Sequence, residues 1–219
     1  MLKVISTSDG SRTIYVPDMD EHYHSTFGAI TESKHVFIGS GYKTMQADHL
    51  KIFELGFGTG LNALLTLHES LNDKKNIKYV GVEKYPLDKD ILIKLNYSQL
   101  LPETKASCFD LLHECEWEIP CRITDNFILL KLQKDIRDLS IDMVFDLVYY
   151  DAFAPGKQPD MWSYDLLSSV SSLIRPGGVL VTYSAMGQLK RDLRKLGFKV
   201  ENPAGPPGKR QITRAVKRS

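Results

Sequence analysis

Residues 53–60 read Phe53-Glu54-Leu55-Gly56-Phe57-Gly58-Thr59-Gly60, a glycine-rich turn between two apolar segments of different periodicity. The run that ends at Leu55 predicts a β-strand, and the leucines that begin at Leu61 recur at helical spacing. Glycine lets a chain turn sharply into a helix and lets the backbone approach a ligand closely. These residues therefore predict a strand–loop–helix unit of an α/β fold, with a ligand above the loop.

Short apolar runs alternate with helical patterns along the rest of the chain, which is typical of a parallel sheet covered by helices. We predict parallel strands at residues 51–55, 77–83, 127–133, 147–151 and 179–184, helices at 61–71, 87–100, 159–173 and 187–196, and a closing antiparallel pair at 199–201 and 211–216. The run Arg175-Pro176-Gly177-Gly178 is expected to end the third helix and turn the chain into the fifth strand. The predicted fold is α/β and Rossmann-like, with a mostly parallel seven-stranded sheet.

Two regions fall outside this alternation. Residues 1–50 contain the hairpin signal Ser8-Asp9-Gly10-Ser11 between apolar runs, which predicts a small amino-terminal β extension. Residues 101–126 combine a helical pattern near Leu111 with a turn at Thr124-Asp125-Asn126, and their structure stays open. We therefore divide the chain into the extension at 1–50 and a Rossmann-like domain at 51–219.

Composition indicates a globular protein with no membrane partner. The 219 residues are 42% hydrophobic and 25% charged, without a membrane-length apolar run or a secretory pattern at the start. Cys108, Cys115 and Cys121 form an odd set without a CxxC pair, which argues against a disulfide framework and a structural zinc site. We expect reduced thiols in a cytoplasmic protein.

Positive charge is concentrated near the carboxyl terminus. The net charge is only +1, but the segment from Ala185 to Ser219 contains ten lysines and arginines against two acidic residues. Such asymmetry fits a surface that faces the phosphates of a nucleic acid. It also fits a solvated helix face followed by a basic tail, and charge alone does not choose between the two.

Three ligand classes compete for the glycine loop. A P-loop requires a Lys-Ser/Thr pair after its last glycine, where Leu61 and Asn62 stand instead. A dinucleotide site requires a third glycine at the position of Leu61. The remaining class is S-adenosylmethionine, whose methionine end passes over such a loop.

Acidic residues follow the next two strands of the predicted sheet. Glu83 ends the second strand, where a carboxylate accepts hydrogen bonds from ribose hydroxyls of dinucleotides and of S-adenosylmethionine alike. Asp135 follows the third strand and is placed to bond an adenine amino group, although it also suits a helix N-cap before Ile136.

The fourth strand ends in Asp151, within the run Tyr149-Tyr150-Asp151-Ala152-Phe153-Ala154-Pro155-Gly156-Lys157-Gln158-Pro159-Asp160-Met161-Trp162. A carboxylate after an apolar run requires a partner. Here it would face both the methyl donor and an acceptor. Phe153 and Trp162 suit stacking on a base and Lys157 suits a phosphate, although both aromatic residues also suit the core. At most one of Tyr149 and Tyr150 is expected to line the site, because they alternate in direction.

The run DAFAPGKQPDMW resembles the signature of the MnmC-type tRNA methyltransferases, which complete 5-methylaminomethyl-2-thiouridine at the anticodon wobble position. The segments HYHSTFGAITESKHVFIGSG, ELGFGTGLNALL, VEKYPL, RPGGVLVTYSAMG and GPPGKRQI resemble the family in the same order, so the resemblance covers nearly the whole chain. It implies a class I methyltransferase fold, S-adenosylmethionine as cofactor and tRNA as partner.

The resemblance also implies roles for individual residues. The residues expected to bind the methyl donor are Glu54, Gly56, Phe57, Gly58, Gly60, Asn62, Glu83, Lys84, Asp135 and Asp151. Asp151 is expected to be the catalytic group nearest the reacting amine. The residues expected to hold the tRNA anticodon stem–loop are Tyr23, Phe153, Lys157, Trp162, Lys209 and Arg210.

Two departures qualify the resemblance. Lys134 stands where the family usually has glycine before the strand-three acid. The chain ends at Ser219 without a second glycine fingerprint, so we expect a stand-alone methyltransferase that lacks the flavin-dependent oxidase of bifunctional members and acts on the 5-aminomethyl form.

His22 and His24 share one side of an extended segment, but no third ligand stands nearby and no metal is expected. Two alternatives remain: a small-molecule amine methyltransferase or aminopropyltransferase, and a non-catalytic RNA-binding module that retains the cofactor fold, against which the intact glycine loop, Glu83 and Asp151 argue.

Overall fold

The chain begins with a three-stranded antiparallel sheet, in a computed structural model that describes residues 1–101 and 106–218. Strands β1 (Lys3–Ser6) and β2 (Arg12–Val16) form the hairpin predicted around Gly10, and β3 (Glu21–His22) pairs with β2. The Asp9 carboxylate accepts from the backbone N–H of Thr31 at 2.9 Å, which ties the hairpin turn to the following helical segment.

Residues 1–50 also contain helical turns, which the predicted β extension did not include. Helix α1 (Ala29–Ser33) continues into a π-helical turn (Lys34–Gly39), and a 3-10 turn (Tyr42–Thr44) follows. Phe37 packs on Tyr149 of the central sheet with ring centroids 5.2 Å apart. The segment therefore shares a hydrophobic core with the rest of the chain.

A mixed eight-stranded sheet forms the centre of the structure. Its remaining strands are β4 (His49–Leu55), β5 (Asn76–Val82), β6 (Cys121–Thr124), β7 (Phe127–Leu132), β8 (Phe145–Tyr150), β9 (Ile174–Thr182), β10 (Phe198–Glu201) and β11 (Thr213–Lys217). The order is β10-β11-β9-β8-β4-β5-β7-β6, with β4, β5, β7, β8 and β9 parallel and the antiparallel pair β10–β11 at one edge.

The sheet has eight strands instead of the predicted seven, and the additional strand is β6. It lies in the ambiguous segment 101–126 and pairs with β7 through a hairpin at Asp125. Only Ile123 of its four residues is buried, because a short strand at the edge of a sheet turns few side chains toward the core. The strand is thus too short and too polar to show a clear alternation in sequence.

The helices are α2 (Leu61–Asp73), α3 (Lys89–Leu92), α4 (Tyr97–Leu100), α5 (Ala106–Glu114), α6 (Tyr164–Ser172) and α7 (Gly187–Lys195). The single helix predicted at 87–100 is two short ones, since Asn96 between them has a non-helical backbone. The helix predicted at 159–173 begins as a 3-10 turn (Pro159–Trp162), and Ser163 then caps α6. None of the helices in these described ranges is long and apolar enough to cross a bilayer.

Strand β9 also differs from expectation at its start. The run Arg175–Gly178 was expected to form a turn, but it belongs to the strand, which begins at Ile174. Pairing between β8 and β9 is irregular there, with a register shift between Phe145 and Leu147. An irregular strand start accommodates the proline and the two glycines without a separate turn.

Successive residues of the central strands contribute to two cores on opposite faces of the sheet. Tyr149 belongs to the core that includes the amino-terminal segment, and Tyr150 belongs to the core under α6 and α7. Both tyrosines are fully buried. Neither therefore lines the site at the end of their strand.

The expectation of three reduced cysteines is wrong for two of them, because Cys115 and Cys121 form a disulfide. The end of α5 and the start of β6 bring their Cα atoms to 6.0 Å, a separation that a disulfide spans. The absence of a CxxC pair did not exclude this bond, since the five residues between the two cysteines turn the chain back on itself.

Candidate active site

A cavity of about 650 Å³ opens at the carboxyl ends of β4, β5, β7 and β8. Such ends are where open α/β sheets bind ligands. Predicted site residues that line it are Tyr23, Gly56, Phe57, Gly58, Asn62, Glu83, Lys84, Asp135, Asp151, Phe153, Lys157 and Lys209. Four predicted residues lie outside its lining: Glu54, Gly60, Trp162 and Arg210.

The glycine loop passes close to the end of β8. Gly56 has a φ of +88°, and a Cβ there would lie 2.5 Å from the backbone oxygen of Asp151. Gly58 has a φ of +47°, and a Cβ there would lie 3.1 Å from the ring of Tyr23. The loop therefore depends on glycine both for its left-handed backbone and for space between Asp151 and Tyr23.

Glu83 directly follows β5, at the strand end where the sequence placed it, and its carboxylate faces the glycine loop. Its carboxylate accepts from the backbone N–H of Gly58 at 3.1 Å and of Tyr85 at 2.8 Å. Burial raises the pKa of Glu83 above its ordinary value, although these hydrogen bonds oppose the rise. A carboxylate held in this way against the loop has free lone pairs for the hydroxyls of a ligand.

Asp135 is the N-cap that the sequence also allowed, and its carboxylate faces the cavity. Its carboxylate accepts from the backbone N–H of Arg137 at 3.0 Å and so caps a 3-10 turn (Ile136–Asp138). It also lines the cavity and accepts from Lys84 Nζ at 2.9 Å. The hydrogen bond from the Arg137 side chain holds the pKa of Asp135 well below its usual range, so the group is ionised at neutral pH.

Asp151 belongs to a buried polar network behind the glycine loop. Asn62 Nδ2 donates to Asp151 Oδ2 at 2.7 Å and to Glu54 Oε1 at 2.8 Å, and Tyr79 donates to Glu54 Oε2 at 2.8 Å. Glu54 is fully buried and outside the cavity lining, so the prediction that it binds the cofactor gives way to a role beneath the site. Burial raises the pKa of Asp151 to about 7, against the opposing hydrogen bond from Asn62.

The Asn62 amide is expected to stabilise the fold as well as the site. Asn62→Ala removes the shared donor of two buried carboxylates, and we expect the free energy of unfolding in urea to fall by about 1–3 kcal/mol. Asn72→Ala is the matched control, because Asn72 is an exposed amide on the same helix. It is expected to change stability by less than about 0.5 kcal/mol. Equal loss in both variants would contradict this role.

The loop after β8 presents one aromatic ring to the cavity and buries another. Phe153 lines the cavity and meets Tyr23 edge to face, with ring centroids 5.0 Å apart. Trp162 is only 5% exposed, and its indole N–H donates to the backbone oxygen of Phe153 at 2.8 Å. Its position matches the core alternative, so we assign Trp162 to support of the Phe153 loop in place of the predicted stacking on a base. Lys157 is exposed at the rim, 3.7 Å from Asp20.

The predicted basic pair Lys209-Arg210 divides between two environments. Lys209 points into the cavity, forms an ion pair with Glu32 and lies 4.0 Å from the centre of the Tyr183 ring. Arg210 is exposed and outside the cavity lining. Lys209 and Arg210 therefore do not act as one basic pair, since Lys209 faces the cavity and Arg210 faces solvent.

His22 and His24 both line the cavity. His24 forms a hydrogen bond with Thr59 Oγ1 at 2.7 Å, and burial lowers the pKa of His24 to about 4. The ring is therefore neutral at pH 7 and supports the glycine loop from the amino-terminal side. Within residues 1–101 and 106–218, no group of three or more His, Cys, Asp or Glu side chains is arranged to hold a metal ion.

Several residues of the cavity wall escaped the sequence analysis. They are the aromatic residues Phe27, Tyr85 and Tyr183, together with Glu32, whose chemistry the sequence did not indicate. Phe27 is 58% exposed and Tyr85 is 68% exposed, at the rim of the cavity. A large exposed aromatic residue carries no sequence signal of its own, because the same residue type usually fills a core.

Comparison with known proteins identifies related chains. Residues 112–218 match the family described as S-adenosyl-L-methionine-dependent methyltransferase. The chain is 31% identical over 213 residues to the tRNA 5-methylaminomethyl-2-thiouridine biosynthesis bifunctional protein MnmC of Cupriavidus necator, a match that covers 91% of this chain and 32% of that protein. The protein of the same name from Magnetococcus marinus is 31% identical over 97% of this chain and 34% of its own length. The chain thus spans about a third of the length of these relatives.

A solved structure shares the fold over nearly the whole of this chain. The crystal structure of MNMC2 from Aquifex aeolicus superposes with a TM-score of 0.79 at 28% identity, over 98% of this chain and 69% of that one. A methyltransferase from Pyrococcus furiosus matches at a TM-score of 0.51 and 20% identity over 93% of this chain, which supports the fold alone. The Rossmann-like methyltransferase fold predicted from the sequence is confirmed.

Proposed function

We propose that this chain is an MnmC-type S-adenosylmethionine-dependent methyltransferase and that it methylates the amine of 5-aminomethyl-2-thiouridine at the wobble position of tRNA. The product would be 5-methylaminomethyl-2-thiouridine. The observation that carries the proposal is the position of Asp151, between the glycine loop and the Phe153 loop in one cavity. The names of the relatives, which refer to this modified nucleoside, support the choice of substrate.

The cavity fits S-adenosylmethionine, the cofactor of this family. Gly56 and Gly58 let the turn pass close to Asp151 and Tyr23 in the cavity wall, and Glu83 stands beside the turn for the ribose. Asn62 Oδ1 is buried beside Asp151 without a hydrogen-bond partner among the described residues, so a donor from a ligand would satisfy it. We assign the methionine end to the loop, the ribose to Glu83 and the adenine to Asp135.

The cofactor supplies an electrophilic methyl group on a sulfonium, and the chain must deliver a neutral amine to it. An alkyl amine is mostly protonated at neutral pH, and an ammonium has no lone pair for attack. Asp151 takes one proton from the ammonium of the acceptor, directly or through a water molecule. S-adenosylmethionine, held by the glycine loop, Glu83 and Asp135, would supply the methyl group to this neutral amine and leave as S-adenosylhomocysteine. The overall reaction releases one proton.

Most of the acceleration would come from orientation. No covalent bond to the protein is needed, so the chain acts by holding nitrogen, methyl carbon and sulfur in line. The Asn62 hydrogen bond fixes the Asp151 carboxylate, and the Phe153 loop, supported by Trp162, covers the acceptor side. These contacts hold Asp151 in place as the proton acceptor.

The exposed basic side chains near the carboxyl terminus support an RNA partner. Arg191, Arg194 and Lys195 are exposed on α7, whose Leu189 and Leu193 are buried. Other basic residues of the same segment serve the fold, since Lys217 donates to the backbone oxygens of Ser171 and Ile174 and Arg214 pairs with Glu201. The exposed set is thus smaller than the sequence indicated, and we propose that it contacts tRNA phosphates.

Phe27 is expected to stack on a base of the anticodon loop. Its ring lies against Gly208 at the cavity rim, next to Lys209, and stacking on such a surface contributes about 1–3 kcal/mol per base. We expect Phe27→Ala to weaken binding of the anticodon stem–loop by roughly 5- to 150-fold, while Phe27→Trp retains it. Fluorescence anisotropy measures both, with Ile93→Ala as an exposed control outside the cavity lining. Unchanged affinity in Phe27→Ala would remove Phe27 from the interface.

The alternative is a methyltransferase or aminopropyltransferase that acts on a small amine. Incubation with methyl-labelled S-adenosylmethionine, offered tRNA from cells that lack the wobble methylation step or a polyamine, separates tRNA methylation from methylation of a small amine. A parallel incubation of the polyamine with decarboxylated S-adenosylmethionine, labelled in its aminopropyl group, detects aminopropyl transfer. Label in the tRNA supports the proposal. Label in the polyamine alone would overturn it in favour of the small-molecule reaction.

A further inference from the structure

The acceptor side of the cavity contains an ion pair that the reaction described above does not use. Glu32 on α1 and Lys209 near the carboxyl terminus are 177 residues apart in sequence, and Lys209 Nζ donates to Glu32 Oε1. The other oxygen of Glu32 accepts from the backbone N–H of Ser25 at 2.9 Å. The pair therefore joins the amino-terminal segment to the last loop of the chain across the cavity.

Lys209 also contacts an aromatic ring in the cavity wall. Its ammonium lies 4.0 Å from the centre of the Tyr183 ring, and Tyr183 donates to the backbone oxygen of Ala152 at 2.7 Å. Ala152 follows Asp151 directly, so these contacts connect the Glu32–Lys209 ion pair to the segment that carries the Asp151 carboxylate. This arrangement fixes the positive charge of Lys209 on the side of the cavity where the acceptor enters.

We propose that Lys209 is a positioning residue that keeps the acceptor amine and Asp151 in their deprotonated forms, and that Glu32 holds Lys209 in place and moderates its charge. The inference rests on the proposed function, because it concerns the proton of the same acceptor amine. Lys209 thereby has a different role from the phosphate contact that its position in a basic segment indicated.

The physical reason is the sign of the surrounding charge. The ionisable groups that line this part of the cavity are Glu21 and His22 from β3, Tyr23, His24 and Glu32 from the amino-terminal segment, Glu83 after β5, Asp151 after β8, Lys157 at the rim and Tyr183 in the wall, with Glu54 beneath Asp151. Carboxylates attract an ammonium but also favour its protonated form. One fixed cation among them favours loss of that proton and stabilises ionised Asp151.

The two members of the pair act on Asp151 in opposite directions. The negative charge of Glu32 raises the pKa of Asp151 and the positive charge of Lys209 lowers it, after the larger effect of burial. Removal of the Lys209 charge therefore raises the pKa of Asp151, and removal of the Glu32 charge lowers it. A purely structural ion pair would not produce shifts of opposite sign.

The test is the pH dependence of the single-turnover rate of tRNA methylation, which reports groups in the bound complex. We expect Lys209→Met to move the acidic limb of the profile to higher pH by about one unit and Glu32→Gln to move it to lower pH. Lys209→Arg, which keeps the positive charge, should leave the acidic limb at its wild-type pH. The double variant Glu32→Gln/Lys209→Met, which leaves no unpaired charge, should lie between the two single variants.

Two controls separate this inference from folding and from the proposed function. Lys43→Met and Glu69→Gln remove partners of an ion pair of 3.2 Å outside the cavity lining and should leave the profile unchanged. S-adenosylmethionine affinity, measured by calorimetry, should stay within a few-fold of wild type in all variants. Limbs that do not move, or that move in the same direction in both single variants, would overturn the inference while tRNA methylation by wild type stands. No tRNA methylation by wild type would overturn the proposed function itself.

Discussion

Asp151→Asn is expected to lower the rate of methyl transfer by roughly 10²–10⁴-fold, the range typical of a lost general base. The amide that replaces the carboxylate still accepts from Asn62, so the loop keeps its position, but it cannot take a proton from the acceptor ammonium. The affinity for S-adenosylmethionine is expected to stay within a few-fold of wild type. Single-turnover assays with tRNA measure the rate, and calorimetry measures the affinity.

Asp151→Asn is also expected to change the pH dependence of the methyl-transfer rate. Because burial raises the pKa of Asp151 to about 7, the deprotonated and active form is lost as the pH falls through that value. The wild-type rate should therefore rise with pH and level off above neutral pH, whereas the rate of Asp151→Asn should keep rising toward the ordinary pKa of an alkyl amine, because only an amine that has already lost its proton can react. Asp165→Asn, an exposed acid in the first turn of α6, is the control and should behave as wild type. Wild-type turnover with an unchanged limb in Asp151→Asn would remove Asp151 from proton transfer.

Gly56→Ala is expected to abolish most of the activity for a steric reason. The added Cβ would lie 2.5 Å from the backbone oxygen of Asp151, so either the loop or the end of β8 must move. A misplacement of about 1 Å at reacting groups costs on the order of 10²-fold in rate. We expect a loss of that size in methyl transfer, together with weaker binding of S-adenosylmethionine.

The matched control for Gly56→Ala is Gly197→Ala. Both glycines have a φ of +88°, but a Cβ on Gly197 would meet no atom within 4 Å. Both variants therefore carry a similar backbone cost of about 1–2 kcal/mol, and only Gly56→Ala carries the contact with Asp151. Thermal unfolding should show comparable destabilisation from the backbone in both, and only Gly56→Ala should lose activity. Full activity in Gly56→Ala would show that the loop does not depend on this contact.

The features that the sequence predicted well are local ones. The order of strand, glycine loop and helix around Gly56 appears directly in the change of hydrophobic period, and Asp151 is marked by the apolar run before it. The parallel strands follow from the same alternation. In each case the signal lies within about ten residues, which is the distance over which periodicity and turn residues act.

The features that the sequence did not predict depend on contacts between distant segments. Nothing in the pattern around Glu32 or Lys209 indicates that the two side chains meet, and the Cys115–Cys121 bond requires the path between α5 and β6. Trp162 shows a second limit. An aromatic residue in a functional loop suits stacking or packing equally well, and only its burial under the Phe153 loop distinguishes them.

The most direct test of the central claim is mass spectrometry of nucleosides from tRNA methylated by the purified protein. The tRNA comes from cells that lack the wobble methylation step, and S-adenosylmethionine is the methyl donor. We expect the 5-aminomethyl-2-thiouridine signal to decrease while 5-methylaminomethyl-2-thiouridine appears, with the Asp151→Asn protein as the inactive control. An unchanged nucleoside profile, with binding of S-adenosylmethionine confirmed in the same preparation, would contradict the assignment to the tRNA wobble position.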